Sequence, residues 1–152
     1  MRNLLRSAVT GATLVSAMAT MGVASADDGS STGDVSILTA GCPSSGYPNP
    51  GNPSESCTSM SNGALFHRKF HPNASVTRVE SKYVKVSGSA ITAKLGYNYS
   101  GTNYWGSTFT QSSGTTKTKT WDRSYNFWCN TTVGLLNVTG QGSFQTPISR
   151  CQ

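Results

Sequence analysis

Groups that move protons are scarce in this 152-residue chain, which has six acidic residues and two histidines. Beyond Cys57 the only carboxylates are Glu80 and Asp122, and nothing in the spacing marks them as the neighbouring pair that sugar cleavage requires. Serines abound, yet there is no G-x-S-x-G nucleophile elbow. A C-x-x-C spacing is missing too, which removes the usual zinc framework. No apolar run of 18 charge-free residues is present, so a stable membrane-spanning helix is not expected. The basic residues form no tight run of the kind that marks nucleic-acid binding. These absences predict a protein that is not an enzyme, with no catalytic residues, no metal and no cofactor.

The first 26 residues read as a secretory signal peptide. Arg2 and Arg6 form a positive start, Ala8–Val23 is apolar or small, and Ala24-Ser25-Ala26 supplies a cleavage site. The mature chain then starts at Asp27 and carries ten basic and six acidic residues, a net charge of +4. The expected location is extracellular. All four cysteines, Cys42, Cys57, Cys129 and Cys151, lie in the mature part. An even count in a short exported chain implies two disulfides. Three pairings are open; Cys42–Cys57 with Cys129–Cys151 is preferred because each closes a short local segment.

Residues 27–56 form a Gly/Pro/Ser-rich stretch. Its segment "GCPSSGYPNPGNPSESC" has four prolines and suits neither a helix nor a central strand. The only aliphatic island is Val35–Leu38. This reads as an extended N-terminal arm whose Val35, Ile37 and Leu38 contact a partner protein. From about Ala64 the chain turns β-like, rich in Thr, Ser, Tyr, Val and Phe, with turn residues every eight to twelve positions. The clearest strand is "SAITAKLGYNYSG", with Ile91, Ala93, Leu95, Tyr97 and Tyr99 on one face. In "KYVKVSG", Val84 and Val86 share one face, Tyr83 and Lys85 the other. "NYWGSTFTQSSGTTKTKTW" reads as a hairpin turning at Gln111–Gly114, whose second arm carries Lys117 and Lys119 as an edge strand would. About seven strands are expected. The fold class is all-β: a small, disulfide-bonded antiparallel β-sandwich over residues 57–152.

Two aromatic stretches are candidate contact surfaces. "HRKFH" places His67 and His71 on one side of a strand, about 13 Å apart, too far to share a metal. Beside Arg68 and Lys69 they read as surface histidines. "WDRSYNFWCN", residues 121–130, reads as a continuous strand with Tyr125, Phe127 and Cys129 in the core and Trp128 alone on the polar side. Trp128 is therefore the expected contact residue there. Trp105 in "GTNYWG" is a second candidate contact, suited to protein or to stacking on a sugar ring, with a place in the core as the plainer reading of a hairpin aromatic.

Two resemblances bear on function. "SYNFW", Ser124–Trp128, resembles the aromatic end of lactococcin-like bacteriocins. The overall plan is similar to the small adaptor subunit of the umbrella toxin particles of streptomycetes. The shared features are an Ala/Thr/Ser/Val-rich actinomycete-style signal, an arm from Asp27 to Ser56, four cysteines and a compact β domain. In that family the small β-protein links a lectin-like subunit to a toxin-bearing one, and an extended N-terminal segment takes part in docking. This likeness implies a secreted protein-binding adaptor in a hetero-oligomeric bacterial antagonism complex. The alternatives are a free-standing bacteriocin-like toxin, an inhibitor of a hydrolase, or a carbohydrate-binding module with a glycan partner.

Overall fold

Alternating β-branched and aromatic residues build nine antiparallel strands in the computed structural model, which describes residues 41–151. β1 (Glu55–Met60), β2 (Gly63–Asn73), β3 (Val76–Lys85) and β7 (Thr115–Ser124) form a four-stranded sheet in the order β1-β2-β3-β7. The second sheet runs β5 (Thr102–Trp105), β4 (Ile91–Tyr99), β8 (Thr132–Val138) and β9 (Gly142–Ser149). β6 (Phe109–Gln111) also pairs with β4. β5 covers Gly96–Tyr99 of β4 and β6 covers Ile91–Ala93, so the two short strands share one edge end to end. They split the expected first arm of the hairpin in two, and β1, ahead of the β character expected from Ala64, is the other strand beyond the expected seven. The two sheets pack face to face as a small sandwich that carries two disulfides.

The period-two reading of β4 is reproduced: Ala93, Leu95 and Tyr97 are buried, with Ile91 and Tyr99 half-buried at the strand's ends. The interior divides into two apolar clusters. One is mostly aliphatic: Leu65, Tyr83, Ala93, Leu95, Leu136 and Val138. The other is aromatic: Tyr97 and Phe127 with Val79, flanked by Tyr99, Tyr104 and Trp121. Burying each such side chain contributes about 1.5–3 kcal/mol. At the end of β3 both faces are covered, with Tyr83, Val84 and Lys85 all buried, while Val86, beyond the strand's end, is 53% exposed.

Three sequence expectations need correction. The segment around Gln111–Gly114 is no hairpin, because its two arms belong to different sheets: β6 pairs with β4, and β7 with β3. The buried Gln111 amide fixes this crossing by donating to the carbonyls of Tyr83 (3.1 Å) and Thr115 (2.8 Å). The aromatic strand stops at Ser124, opposite Val76 where its antiparallel partner β3 begins, and Tyr125–Cys129 coils into a 3-10 helix. Finally, His67 is not on the surface; it is 1% exposed.

Both preferred disulfides are present. Cys42–Cys57 has its Cα atoms 5.6 Å apart and Cys129–Cys151 has them 4.6 Å apart. The first holds residues 41–54 against the sandwich. Cys57 N–H donates to Gly46 O (2.7 Å), Arg150 N–H to Pro53 O (2.9 Å) and the Tyr47 hydroxyl to Ile148 O (3.0 Å). The proline-rich segment is irregular up to Ser54, as its composition predicts, and β1 begins at Glu55. No helix among the described residues is long and apolar enough to cross a membrane.

Candidate functional site

At the end of β7 the chain turns a corner that the rest of the domain holds from several sides. Phe127 is the corner's inward anchor, 8% exposed, with its ring edge-on to Tyr99 at 4.8 Å and to Tyr97 at 6.4 Å. Thr77 donates its hydroxyl to Tyr125 O at 2.7 Å. The ammonium of Lys69 donates to the carbonyl of Asn130, and to Ser149 O at 3.3 Å. Cys129, at the last position of the 3-10 helix, is tied to Cys151. With two of its carbonyls held, a buried ring and a disulfide, this corner has little freedom to adapt.

The outward side of the corner is aromatic. His71 stacks on Tyr125 with centroids 4.1 Å apart and an interplanar angle of 19°. Trp128 lies 4.9 Å from the same imidazole, tilted by 39°. Tyr125 is 48% exposed and Cys129 is exposed as well, so of the three core residues that strand alternation predicted only Phe127 is buried. Trp128 is half-buried by its contact with His71. The 3-10 coil causes the difference: it replaces a two-residue repeat with a three-residue one, so Tyr125 and Trp128 come to the same side. His71 Nδ1–H donates to Val76 O (3.1 Å), which orients the ring for the stack.

The remaining candidates fall elsewhere. Trp105 sits on the outer face of the five-stranded sheet, with its indole laid across Gly96; a Cβ there would lie 2.5 Å from the ring. Lys94 Nζ stands 4.7 Å from the Trp105 ring centroid. Val35, Ile37 and Leu38 lie outside the described residues. Sequence reading singled out Trp128 but missed Tyr125 and His71 as its partners. His71 and Tyr125 are remote in sequence, and only the ends of β2 and β7 bring them together.

His67 has another role. Ser81 donates its hydroxyl to Gly96 O (2.8 Å), so it accepts from His67 Nδ1–H (3.0 Å). Nε2 then accepts from the Thr132 hydroxyl at 2.8 Å. Ser81 and His67 approach as closely as a nucleophile and its base, but Ser81 is fully buried and its proton is held by a carbonyl. Both ring nitrogens are taken, which leaves none for a metal. Burial, followed by the charge of nearby Lys69, lowers the His67 pKa to about 3, against a smaller opposing contact with the Glu80 backbone. Burial also lowers the Lys69 pKa to about 8. Gly134 makes room for the imidazole, since a Cβ there would come within 2.4 Å of His67 Cβ. This trio joins the sheets. Comparison with known protein families, curated proteins and solved structures finds no match for the chain.

Proposed function

We propose that this is a secreted, non-catalytic protein-binding domain that serves as an adaptor in an extracellular bacterial antagonism complex. The observation that carries this reading is the aromatic corner. Tyr125, Trp128 and His71 present a stacked, pre-organised surface on a disulfide-anchored turn. Aromatic side chains dominate protein–protein hot spots, and rigidity lowers the entropy cost of binding. The signal-like residues 1–26 and the two disulfides fit an exported protein. The likeness in plan to the umbrella-toxin adaptor supplies the biological setting.

The test is capture of partners from the producer's culture supernatant by the mature protein. Tyr125→Ala and Trp128→Ala should each reduce capture by about tenfold or more, with melting temperatures within a few degrees of wild type. Truncation of residues 27–40 tests the arm. It stops before Cys42 because the Cys42–Cys57 bond and the contacts of residues 46–54 belong to the domain. Undiminished capture by all three variants would sink the adaptor reading.

A second reading rests on the corner itself. Ser124–Trp128, the stretch that resembles the aromatic end of lactococcin-like bacteriocins, contains two of its exposed or half-exposed aromatics. A free-standing toxin predicts that the purified protein alone inhibits growth of a related bacterium, and that Tyr125→Ala removes the inhibition.

A further inference from the structure

Arg123 has no carboxylate partner among the described residues, and an open cleft lies over it. Residues 41–151 contain three carboxylates, Glu55, Glu80 and Asp122. The first two flank Arg68, at 4.0 and 2.8 Å. Asp122 is held by Arg78 through two parallel bonds of 2.6 and 2.9 Å. Arg123 instead directs Nε (2.6 Å) and Nη2 at one atom, the Tyr97 hydroxyl oxygen. Its guanidinium carbon lies 4.5 Å from the Tyr104 ring centroid, 5.5 Å from Tyr97 and 5.7 Å from Phe127. Three rings thus hold the cation in place. A guanidinium has five N–H groups, and the bonds to Tyr97 occupy two. The cleft, about 600 Å³, is bounded by Ser75, Val76, Tyr99, Tyr104 and Ser124 around Arg123. That volume falls within the usual range for ligand sites.

We infer that this cleft receives the carboxylate of an acidic residue from a partner polypeptide. The inference deepens the protein-binding reading and rests on it, by naming the chemistry of the partner. A planar guanidinium fixed by its neighbours is suited to a carboxylate, which it grips through two parallel bonds. Only one cation faces the cleft, and Asp122 stands on its rim. This matches a single negative charge and disfavours a dianionic phosphate. The apolar walls of Val76, Tyr99 and Tyr104 suit the methylene stem of a Glu side chain. A sugar acid is the rival occupant, because two serines and two tyrosines, Tyr99 and Tyr104, border the cleft beside the pledged Asp122, and free glucuronate tests it directly. The site lies beside the aromatic corner, since Ser124 and Phe127 belong to both. Arg and Tyr are also the residue types enriched at binding hot spots.

The mature protein is titrated with a short, capped Glu-containing peptide, its Gln counterpart and free glucuronate. Binding is followed by the Arg123 Nε–H resonance and by Trp121 fluorescence, as Trp121 packs edge-on against Tyr97 at 5.0 Å. The Glu peptide should move the Arg123 resonance saturably, and the Gln peptide should bind at least about tenfold more weakly. Arg123→Lys should lose a similar factor, because an ammonium cannot fork. If Arg123→Lys fails to fold, Ser124→Glu replaces it. Ser124 is exposed, and a carboxylate there should occupy Arg123 and block the peptide. Equal affinity for the Glu and Gln peptides, or an Arg123 response to glucuronate but not to the Glu peptide, overturns the inference. If Ser124→Glu captures partners normally and the Glu peptide does not bind, the inference fails and the adaptor reading stands. If the Glu peptide binds but no partner is captured, the adaptor reading fails and the carboxylate site stands.

Discussion

His67 illustrates what a single residue does when its surroundings refuse it a charge. The folded protein leaves the imidazole neutral down to about pH 3. An unfolded chain takes up the proton near pH 6.5. Between those values the unfolded state binds more protons, so stability falls as the pH drops from 6.5 toward 3. The expected loss is on the order of 5 kcal/mol, measured by denaturant unfolding across that range. His67→Gln should flatten this acid limb at some cost at pH 7; an unchanged limb would falsify the assignment. The spacing of "HRKFH" shows that His67 and His71 share a side, but not that the side faces inward. The deciding hydroxyls, on Ser81 and Thr132, are 14 and 65 residues away. Flanking Arg68 and Lys69 pointed to solvent, yet Lys69 itself is buried beside two carbonyls.

At the scale of elements, β7 is the informative strand. It pairs only with β3, so no strand neighbours its other edge among the described residues. Lys117 and Lys119 are exposed on it, in the place where charge discourages edge-to-edge pairing. Lys117→Val with Lys119→Val should leave the fold intact and promote concentration-dependent association, read by light scattering at fixed ionic strength. A double variant that stays monomeric would remove that role. This edge was legible because Lys on a Thr-rich strand has a physical meaning that needs no partner. The crossing at Gln111–Gly114 was not legible, because a turn between sheets and a turn within one use the same residues. The break after Ser124 was hidden for a related reason: an antiparallel strand ends where its neighbour begins, and the start of β3 at Val76 is set by the β2–β3 turn.

Charge is unevenly placed along the mature chain. Residues 41–151 hold ten basic and three acidic residues, a net charge of +7, because Asp27, Asp28 and Asp34 all precede them. Each of the three acids pairs with an arginine, which leaves the excess positive charge to repel itself. Raising the ionic strength from about 0.01 to 0.15 M shortens the screening length from about 30 to 8 Å. Melting temperature should therefore rise by about 2–4 °C; a fall would mean that the few ion pairs outweigh the repulsion. At this scale the sequence was read well. Period-two patterning and two local cysteine pairs were enough to indicate an all-β, doubly bridged sandwich.

Two hydrocarbon faces laid together can slide with little penalty, because oily contacts have no direction. The polar layer between these faces removes that freedom. Thr132 of one sheet meets His67 of the other, His67 meets Ser81, and Ser81 returns to Gly96 across the gap. Each link is directional, and shifting either sheet by one residue would strand a ring nitrogen in a dry interior. The alignment of the sheets is thus keyed, and any partner that reads both the corner after β7 and the face beyond it meets one fixed geometry.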